Sequence, residues 1–579
     1  MKNTDHELIE TDVLVIGGGC AGCWAAIRAD KMGARVVLAD KAMISRSGSA
    51  IYCHNFMAPL EEGMLDAWLK EIIKYSDYLG EPRFVEILLT EQGHRVRELI
   101  EWGMPFEKDE KGDLLLTQGR GHSISKVVLF DGRPLMEVLR REILARKIKL
   151  VERVMLTELL TSDGQHPTTG RVIGAVGLHT RTGQSIVIKA KAVVVTTGMT
   201  SGKLHFSYAD NLTGDGQTMA YRAGAQMGGL EFTFCPKFAA HKSGKPVCSL
   251  IQFQTLGAHI VNSKGERFME RYVPERMERR SGIGLLIQGI TKEVMEGRGP
   301  VYWDMTHFSR QRMEQVRRII PTTIAALNGA GIDPAKQKVE CRAVVIHFGS
   351  FASGGVRIDT QGASSIPGLF SAGVAAQFSG AVELLSGVML SFANVFGYRA
   401  GEAAARFARE QPESKIDKDQ LQEVKSVIMS PLSRKGKFTP RDIYHGLLTH
   451  MIKPEIGVVK TEESIDRMLV QIELAAQEKL PQVSAQDIHT LVQANEARNF
   501  VHFLEPIFVA ARERKESRLT HYRLDYPYKD DIDWLKWVVV KKGPRGATVS
   551  HEPLVQDRQW PELAKPGRAP ALIQISKLS

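Results

Sequence analysis

Asp12-Val13-Leu14-Val15-Ile16-Gly17-Gly18-Gly19-Cys20-Ala21-Gly22 is the stretch that decides the fold of this chain. Its first five residues form an apolar run of strand length. Gly17, Gly19 and Gly22 then fit G-x-G-x-x-G; an Ala-rich helix is expected from about Ala21 to Met32, and a second strand from Arg35 to Ala39 ends at Asp40. Strand, glycine turn, helix, strand and acid, in that order, make the fingerprint of a Rossmann-like dinucleotide site. The glycines let the backbone turn tightly and approach a pyrophosphate. The helix N-terminus offers free N–H groups and a positive dipole end to that anion. Asp40 can accept hydrogen bonds from ribose hydroxyls.

Working outward, 579 residues exceed what one hydrophobic core supports, so roughly two to four domains are expected. A hydrophobic fraction of 43% and a charged fraction of 25% are those of an ordinary globular protein. No apolar run reaches the roughly 18 residues of a membrane span. Met1 to Glu10 is polar and acidic, without a signal-peptide core, so a cytoplasmic location is expected. The six cysteines are scattered, which fits a reducing compartment and excludes a disulfide framework. Cys20-x-x-Cys23 lies in the first helical turn and reads as small packing residues. No residues are assigned to a metal, and the cysteine spacing gives no iron–sulfur cluster motif. The net charge of +10 is spread along the chain without aromatic interleaving, so nucleic acid is not an expected partner. The charge reads as a general positive field or as docking for an acidic protein.

Further along, helical patterns run from Glu81 to Trp102 and from Pro134 to Arg146. Val172 to His179 and Ser185 to Ala190 flank Thr182-Gly183-Gln184 as a hairpin, and Val193 to Thr197 reads as a separate buried strand ending at Gly198. Gly214-Asp215-Gly216 leads into a helix, and the first fold resumes near Pro367. These patterns predict an α/β protein with five parts. Residues 1–234 and 346–412 form a Rossmann-like cofactor domain, interrupted by an α+β capping domain at 235–345. A helical domain follows at 413–540, then an extended basic, Pro-rich tail at 541–579.

Several stretches together resemble the flavoprotein subunits of the fumarate reductase and succinate dehydrogenase superfamily. They are Val15-Ile16-Gly17-Gly18-Gly19, Arg46-Ser47-Gly48, Gly214-Asp215-Gly216 with Ala220 to Gly224, Gly265 to Tyr272, Pro367 to Phe370, Val395-Phe396-Gly397, Glu516-Ser517-Arg518 and His521 to Pro527. The resemblance implies FAD, with Asp40 on the adenosine ribose and Ser45, Arg46, Ser47 and Gly48 along the pyrophosphate and flavin edge. It places Gly17, Gly19, Ala21, Gly22, Lys41, Gly198, Asp215, Gly373 and Leu390 around the same cofactor. Relatives with covalent flavin carry a histidine just after Arg-Ser; Gly48 stands there, so the FAD is expected to be non-covalent. Val374 stands where the family has a glutamate.

The fumarate-handling residues differ. The family's His-Pro-Thr-Gly segment reads Phe234-Cys235-Pro236-Lys237 here. Counting back from Asn262, the proton-donor arginine position falls on Gln254, and the late substrate arginine becomes Glu383 or Leu384. His347 keeps its place. A neutral side chain cannot replace a bidentate guanidinium on a carboxylate, so fumarate is not the expected substrate. His347, Gln254, Glu383, Lys237 and Cys235 are the candidate catalytic residues, with His347 as the acid/base; His54 and His259 are further residues to seek near the flavin. The expected activity is hydride chemistry at flavin N5 on a small organic substrate other than fumarate, as C=C reduction or dehydrogenation. A separate iron–sulfur or ferredoxin-type subunit would exchange the electrons. Two alternatives remain at this point: a sulfur redox subunit like the adenylylsulfate reductase alpha subunit, and a non-catalytic electron-transfer flavoprotein.

Overall fold

The computed structural model describes residues 6–203, 211–240, 251–348, 354–382, 385–451, 453–563 and 566–575, with side chains except at 6, 234–240, 251, 342–348 and 454. Strand β1 (His6–Ile16), helix α1 (Cys20–Lys31) and strand β2 (Val36–Asp40) form the expected opening unit. β1 and β2 pair in parallel, from Val13 opposite Val36 to Ile16 opposite Ala39, and α1 makes the crossover. Val13, Leu14 and Val15 are fully buried, as a central parallel strand covered on both faces requires. Two glycines shape the turn. Gly17 has φ +107°, and a Cβ on Gly22 would sit 1.8 Å from the Gly17 carbonyl oxygen, so only glycine lets α1 start this close to β1.

The sheet continues with β3 (Lys149–Glu152), β4 (Val154–Thr161), β5 (Val172–His179) and β6 (Ser185–Val195). The spatial order is β3-β2-β1-β6-β5-β4. β6 corrects the sequence reading: the second arm of the hairpin and the buried Val193–Val195 run are one 11-residue strand. Its first half pairs antiparallel with β5, while its whole length runs parallel to β1. The polar Lys189 and Lys191 hid this continuity, because both snorkel to surface carboxylates, Glu10 and Asp12 among them. Helix α2 (Asp215–Ala223) follows Gly214. Strand β7 (Leu369–Ser371) joins the far end of β6, and α3 (Val388–Glu410) packs on α1.

The intervening region carries strands Phe234–Ala240, His259–Val261, Val301–Asp304 and Val339–Phe348, with helices including Ile283–Met295 and Arg310–Ile319. Its last strand crosses position 345/346 and also pairs with Thr200–Ser201 of the first region. Helices Lys418–Met429, Pro440–Met451, Glu462–Leu474 and Ile488–Glu513 make up the C-terminal region. The expected break at 540/541 falls inside a strand. Lys536–Gly543 and Gly546–Pro553 form a hairpin whose first arm pairs with Met227–Gly228. Trp537, Val538, Val539 and Val540 on that arm, just before the expected break, are buried, while Lys541 and most of the second arm are exposed. Among the described residues, no helix is long and apolar enough to cross a membrane.

Candidate functional site

One cavity is lined by residues from Asp40 at one end to Arg120 at the other. Gly17, Gly19, Cys20, Ala21, Asp40 and Lys41 line it at the end of β1 and β2. The Asp40 carboxylate accepts hydrogen bonds from the Gly18 N–H (2.7 Å) and the Ala42 N–H (2.7 Å). Burial pushes the Asp40 carboxyl up, and those two N–H groups partly offset it. Beyond Gly19 a Cβ would meet nothing within 4 Å. Two helix N-termini face the cavity, α1 and α3, and neither has a side-chain cap or an acidic residue in its first turn. Orphan N–H groups without a capping carboxylate are what a pyrophosphate or an electron-rich ring needs. The residues therefore fit FAD.

Behind this end lies a buried ion network. Lys41 Nζ donates to Thr213 Oγ1 (2.7 Å), Asp215 Oδ2 (2.9 Å) and Glu496 Oε1 (2.9 Å). Asp215 also accepts from Asn499 Nδ2 (2.8 Å), and Glu496 pairs with Lys203. Burial pushes the Asp215 carboxyl up, but Lys41, Asn499 and Thr213 outweigh it and hold it below its ordinary value. The network ties β2, α2 and helix Ile488–Glu513 together under the cofactor.

The other end is assembled from four distant segments. His54, Asn55, Arg120, Gln252, Thr255, Leu385 and Ser386 line it. Asn55 Nδ2 donates to Ser386 Oγ (2.7 Å), which lies 3.2 Å from Thr255 Oγ1. Arg120 Nη1 donates to Tyr75 Oη (3.2 Å). The His122 ring bridges Ser125 Oγ (2.7 Å) and the Ser386 carbonyl (2.8 Å). Burial, and after it the charge of Arg120, pushes His54 down to about 4, so its ring is neutral at pH 7.

Of the predicted cofactor residues, Gly17, Gly19, Ala21, Asp40, Lys41, Ser47, Gly48, Gly198, Asp215, Gly373 and Leu390 line the cavity. Three do not. Gly22 packs α1 on β1. Ser45 is buried beside Cys23, their Oγ and Sγ 3.6 Å apart. Arg46 is exposed. Cys20 donates to Asn394 Oδ1 (2.9 Å), and burial pushes the Cys23 thiol up to about 12, so this pair packs as neutral thiols.

Among the candidate catalytic residues, the strands pair Cys235 with His347, and Lys237 with Val344. Their side chains, and all of Glu383, lie outside the described residues. Gln254 does not line the cavity: its Nε2 donates to the Glu278 and Ser281 (2.9 Å) carbonyls of the inserted region, while Gln252 and Thr255 on either side reach the lining. His259 is also elsewhere, stacked on His307 at 4.0 Å. Sequence reasoning missed Arg120. Its signal was present in Gln118-Gly119-Arg120-Gly121-His122, a basic group between glycines, but no motif flags it.

Residues 12–390 match the family model for an FAD binding domain, and residues 445–566 match that for the fumarate reductase flavoprotein C-terminal region. The chain belongs to this family of FAD-binding flavoproteins, and it is an FAD-dependent oxidoreductase of the fumarate reductase/succinate dehydrogenase type. It is similar to one subunit of the fumarate reductase (CoM/CoB) of Methanothermobacter marburgensis, at 28% identity over 565 residues, covering 93% of this chain and 98% of that protein. It is also 29% identical to an L-aspartate oxidase of Streptomyces coelicolor, over 94% of this chain and 93% of that one. Two solved structures share the fold. One is a variant of the FrdA chain of E. coli quinol fumarate reductase, with a TM-score of 0.82 at 22% identity over 95% of this chain and 97% of that one. The other is adenylylsulfate reductase from Archaeoglobus fulgidus, with a TM-score of 0.80 at 21% identity over 96% and 97%.

Proposed function

We propose that this chain is the FAD-carrying subunit of an enzyme that reduces or introduces a C=C bond in a small organic substrate other than fumarate. The observation that carries this reading is Gln254. The family's proton-donor arginine position holds a neutral amide whose nitrogen is committed to two backbone carbonyls, so it can neither clamp a carboxylate nor deliver a proton from a guanidinium. Bound FAD supplies two-electron chemistry at its N5 atom. The chain's residues do the rest. Asp40 holds the adenosine ribose, and the N-termini of α1 and α3 favour negative charge on the pyrophosphate and the ring. His347 holds or moves the proton at an imidazole nitrogen, next to Cys235 across the strand pair. Lys237 and Glu383 select the substrate's polar groups. Gly48 in place of an attachment histidine makes the FAD non-covalent, so acid precipitation is expected to release all of it.

The domains are taken to run 1–234 and 346–412 for FAD, 235–345 for the cap and 413–540 for the helical region, with the hairpin at 536–553 bridging the last boundary. A separate iron–sulfur subunit exchanges the electrons. This rests on the scattered cysteines, the +10 charge and the fact that relatives such as the Methanothermobacter marburgensis protein are named as subunits. The unbridged, buried thiols of Cys20, Cys23 and Cys341 fit a reducing compartment, the cytoplasm. The likeness to adenylylsulfate reductase is one of fold and favours no sulfur chemistry here.

The test is dye-coupled turnover of the FAD-loaded protein on a panel of unsaturated acids and thioesters. Saturable turnover on a panel member is expected. A flavin that exchanges electrons with the dye but with no panel member would overturn the organic-substrate reading in favour of an electron-transfer flavoprotein.

A further inference from the structure

We propose that the C-terminal helical region holds a second ligand site, for a small organic anion with an apolar body, whose charged head is bound by Arg498 and His502.

The site is a cavity among helices Lys418–Met429, Glu462–Leu474 and Ile488–Glu513. None of its lining residues lines the flavin cavity, so its ligand is not the molecule the flavin acts on. Val427, Ala476, Leu480 and Val483 give it apolar walls. The wall at Ala476 is irregular. After Leu474 the chain widens into a π-helical turn, Ala475–Lys479, and then tightens into a 3-10 turn, Leu480–Gln482. Such π turns are rare and recur at functional sites. Apolar walls with a few polar groups gathered at one place are the usual make-up of a small-molecule site.

The polar groups here are cationic. Arg498 and His502 are four residues apart on helix Ile488–Glu513, so they share one face of it. Exposed Arg434 stands at the rim, its Nη1 donating to the Leu480 carbonyl (3.2 Å). Among the described residues, no acid lines the cavity. Behind it, Glu158 on β4 receives two guanidiniums, Arg222 (2.9 Å) and Arg498. The neighbouring acids Asp215 and Glu496 are already matched by Lys41 and Lys203. Among the described residues, this cluster therefore holds one positive charge more than its carboxylates balance. Arg498 Nε is also buried without a hydrogen-bond partner among them, and buried polar nitrogens are rarely left this way. The field reaches His502: burial, then Arg222, Arg498 and Lys542, push its imidazole down to about 3. A bound carboxylate or phosphate would supply the missing negative charge and accept from the remaining guanidinium donors and from the neutral imidazole.

The test is calorimetric titration of octanoate into the FAD-loaded protein. Octanol, the body without the charge, and acetate, the charge without the body, are the comparisons. Saturable binding of octanoate, at least roughly tenfold tighter than of either, is expected. Arg498→Gln is expected to weaken octanoate roughly 10- to 100-fold. Glu158 keeps Arg222 in that variant, so flavin content should stay at the wild-type level. Ala476→Phe, which fills the cavity and leaves every cation in place, is expected to weaken octanoate comparably. If one variant fails to fold, the other decides. No saturable binding of octanoate by the wild-type protein, octanol or acetate binding as tightly, or unchanged affinity in a folded variant would each overturn the proposal.

Discussion

The Asp40 end of the cavity and the Arg120 end are made in different ways. The first is mainly backbone: a glycine turn, two helix N-termini, and a carboxylate held by two N–H groups within two residues of the strand ends. The second is side chains from residues 54–55, 120, 252, 255 and 385–386, brought together only by the folded chain. A backbone site keeps its shape as long as the turn and helix survive, and it tolerates side-chain drift. A side-chain site changes its chemistry with one substitution. The difference teaches why FAD binding is retained at 28–29% identity to the relatives described, and why the second end is where substrate handling is free to change.

The largest expected effect tests the backbone end. A Cβ at Gly22 would meet the Gly17 carbonyl oxygen at 1.8 Å, so Gly22→Ala should cost about 3 kcal/mol or more and strip the bound FAD. Flavin content and the urea midpoint check it; wild-type values for both would break the account of the turn. Next comes the network beneath that end. Lys41→Met leaves Asp215 and Glu496 buried beside a lost cation, an expected loss of ~3–5 kcal/mol in urea unfolding. A change no greater than that of an exposed lysine would show that the network carries no stability.

The Arg120 end has a pH signature. His54 resists protonation in the fold down to about 4, against 6.5 ordinarily. The unfolded chain therefore takes up the proton first. Stability is expected to be full above about pH 6.5, to fall as pH drops towards 4, and then to level off, by no more than ~3 kcal/mol. Comparing His54→Asn with wild type between pH 4 and 7 isolates the contribution, and identical slopes would contradict it. The smallest effect belongs to Thr255. Its 3.2 Å contact with Ser386 Oγ predicts a loss of about 0.5–1.5 kcal/mol for Thr255→Val, readable as a modest shift in Tm with FAD content unchanged.

The same contrast explains what the sequence made legible. The helix and second strand of the opening unit were placed within a residue, because turn, helix and acid are neighbours in the chain with their own local signals, whereas β1 begins at His6, six residues before its apolar run. β6 was split in two because lysines that snorkel to the surface look like a strand end. The hairpin at 536–553 was cut at 540/541 because its buried Val538 to Val540 run and the basic, mostly exposed stretch that follows from Lys541 differ in composition. Arg120 lies some 260 residues from Ser386, which bonds to its carbonyl, and no spacing rule reaches that far.

The most direct measurement is anaerobic. The flavin of the FAD-loaded protein is reduced, fumarate is added, and reoxidation is followed at the flavin absorbance band. The account predicts that fumarate leaves the flavin reduced while a small dye reoxidises it at once. Fast reoxidation by fumarate would contradict it, and would mean that another arginine serves the site and that the pocket has kept fumarate chemistry.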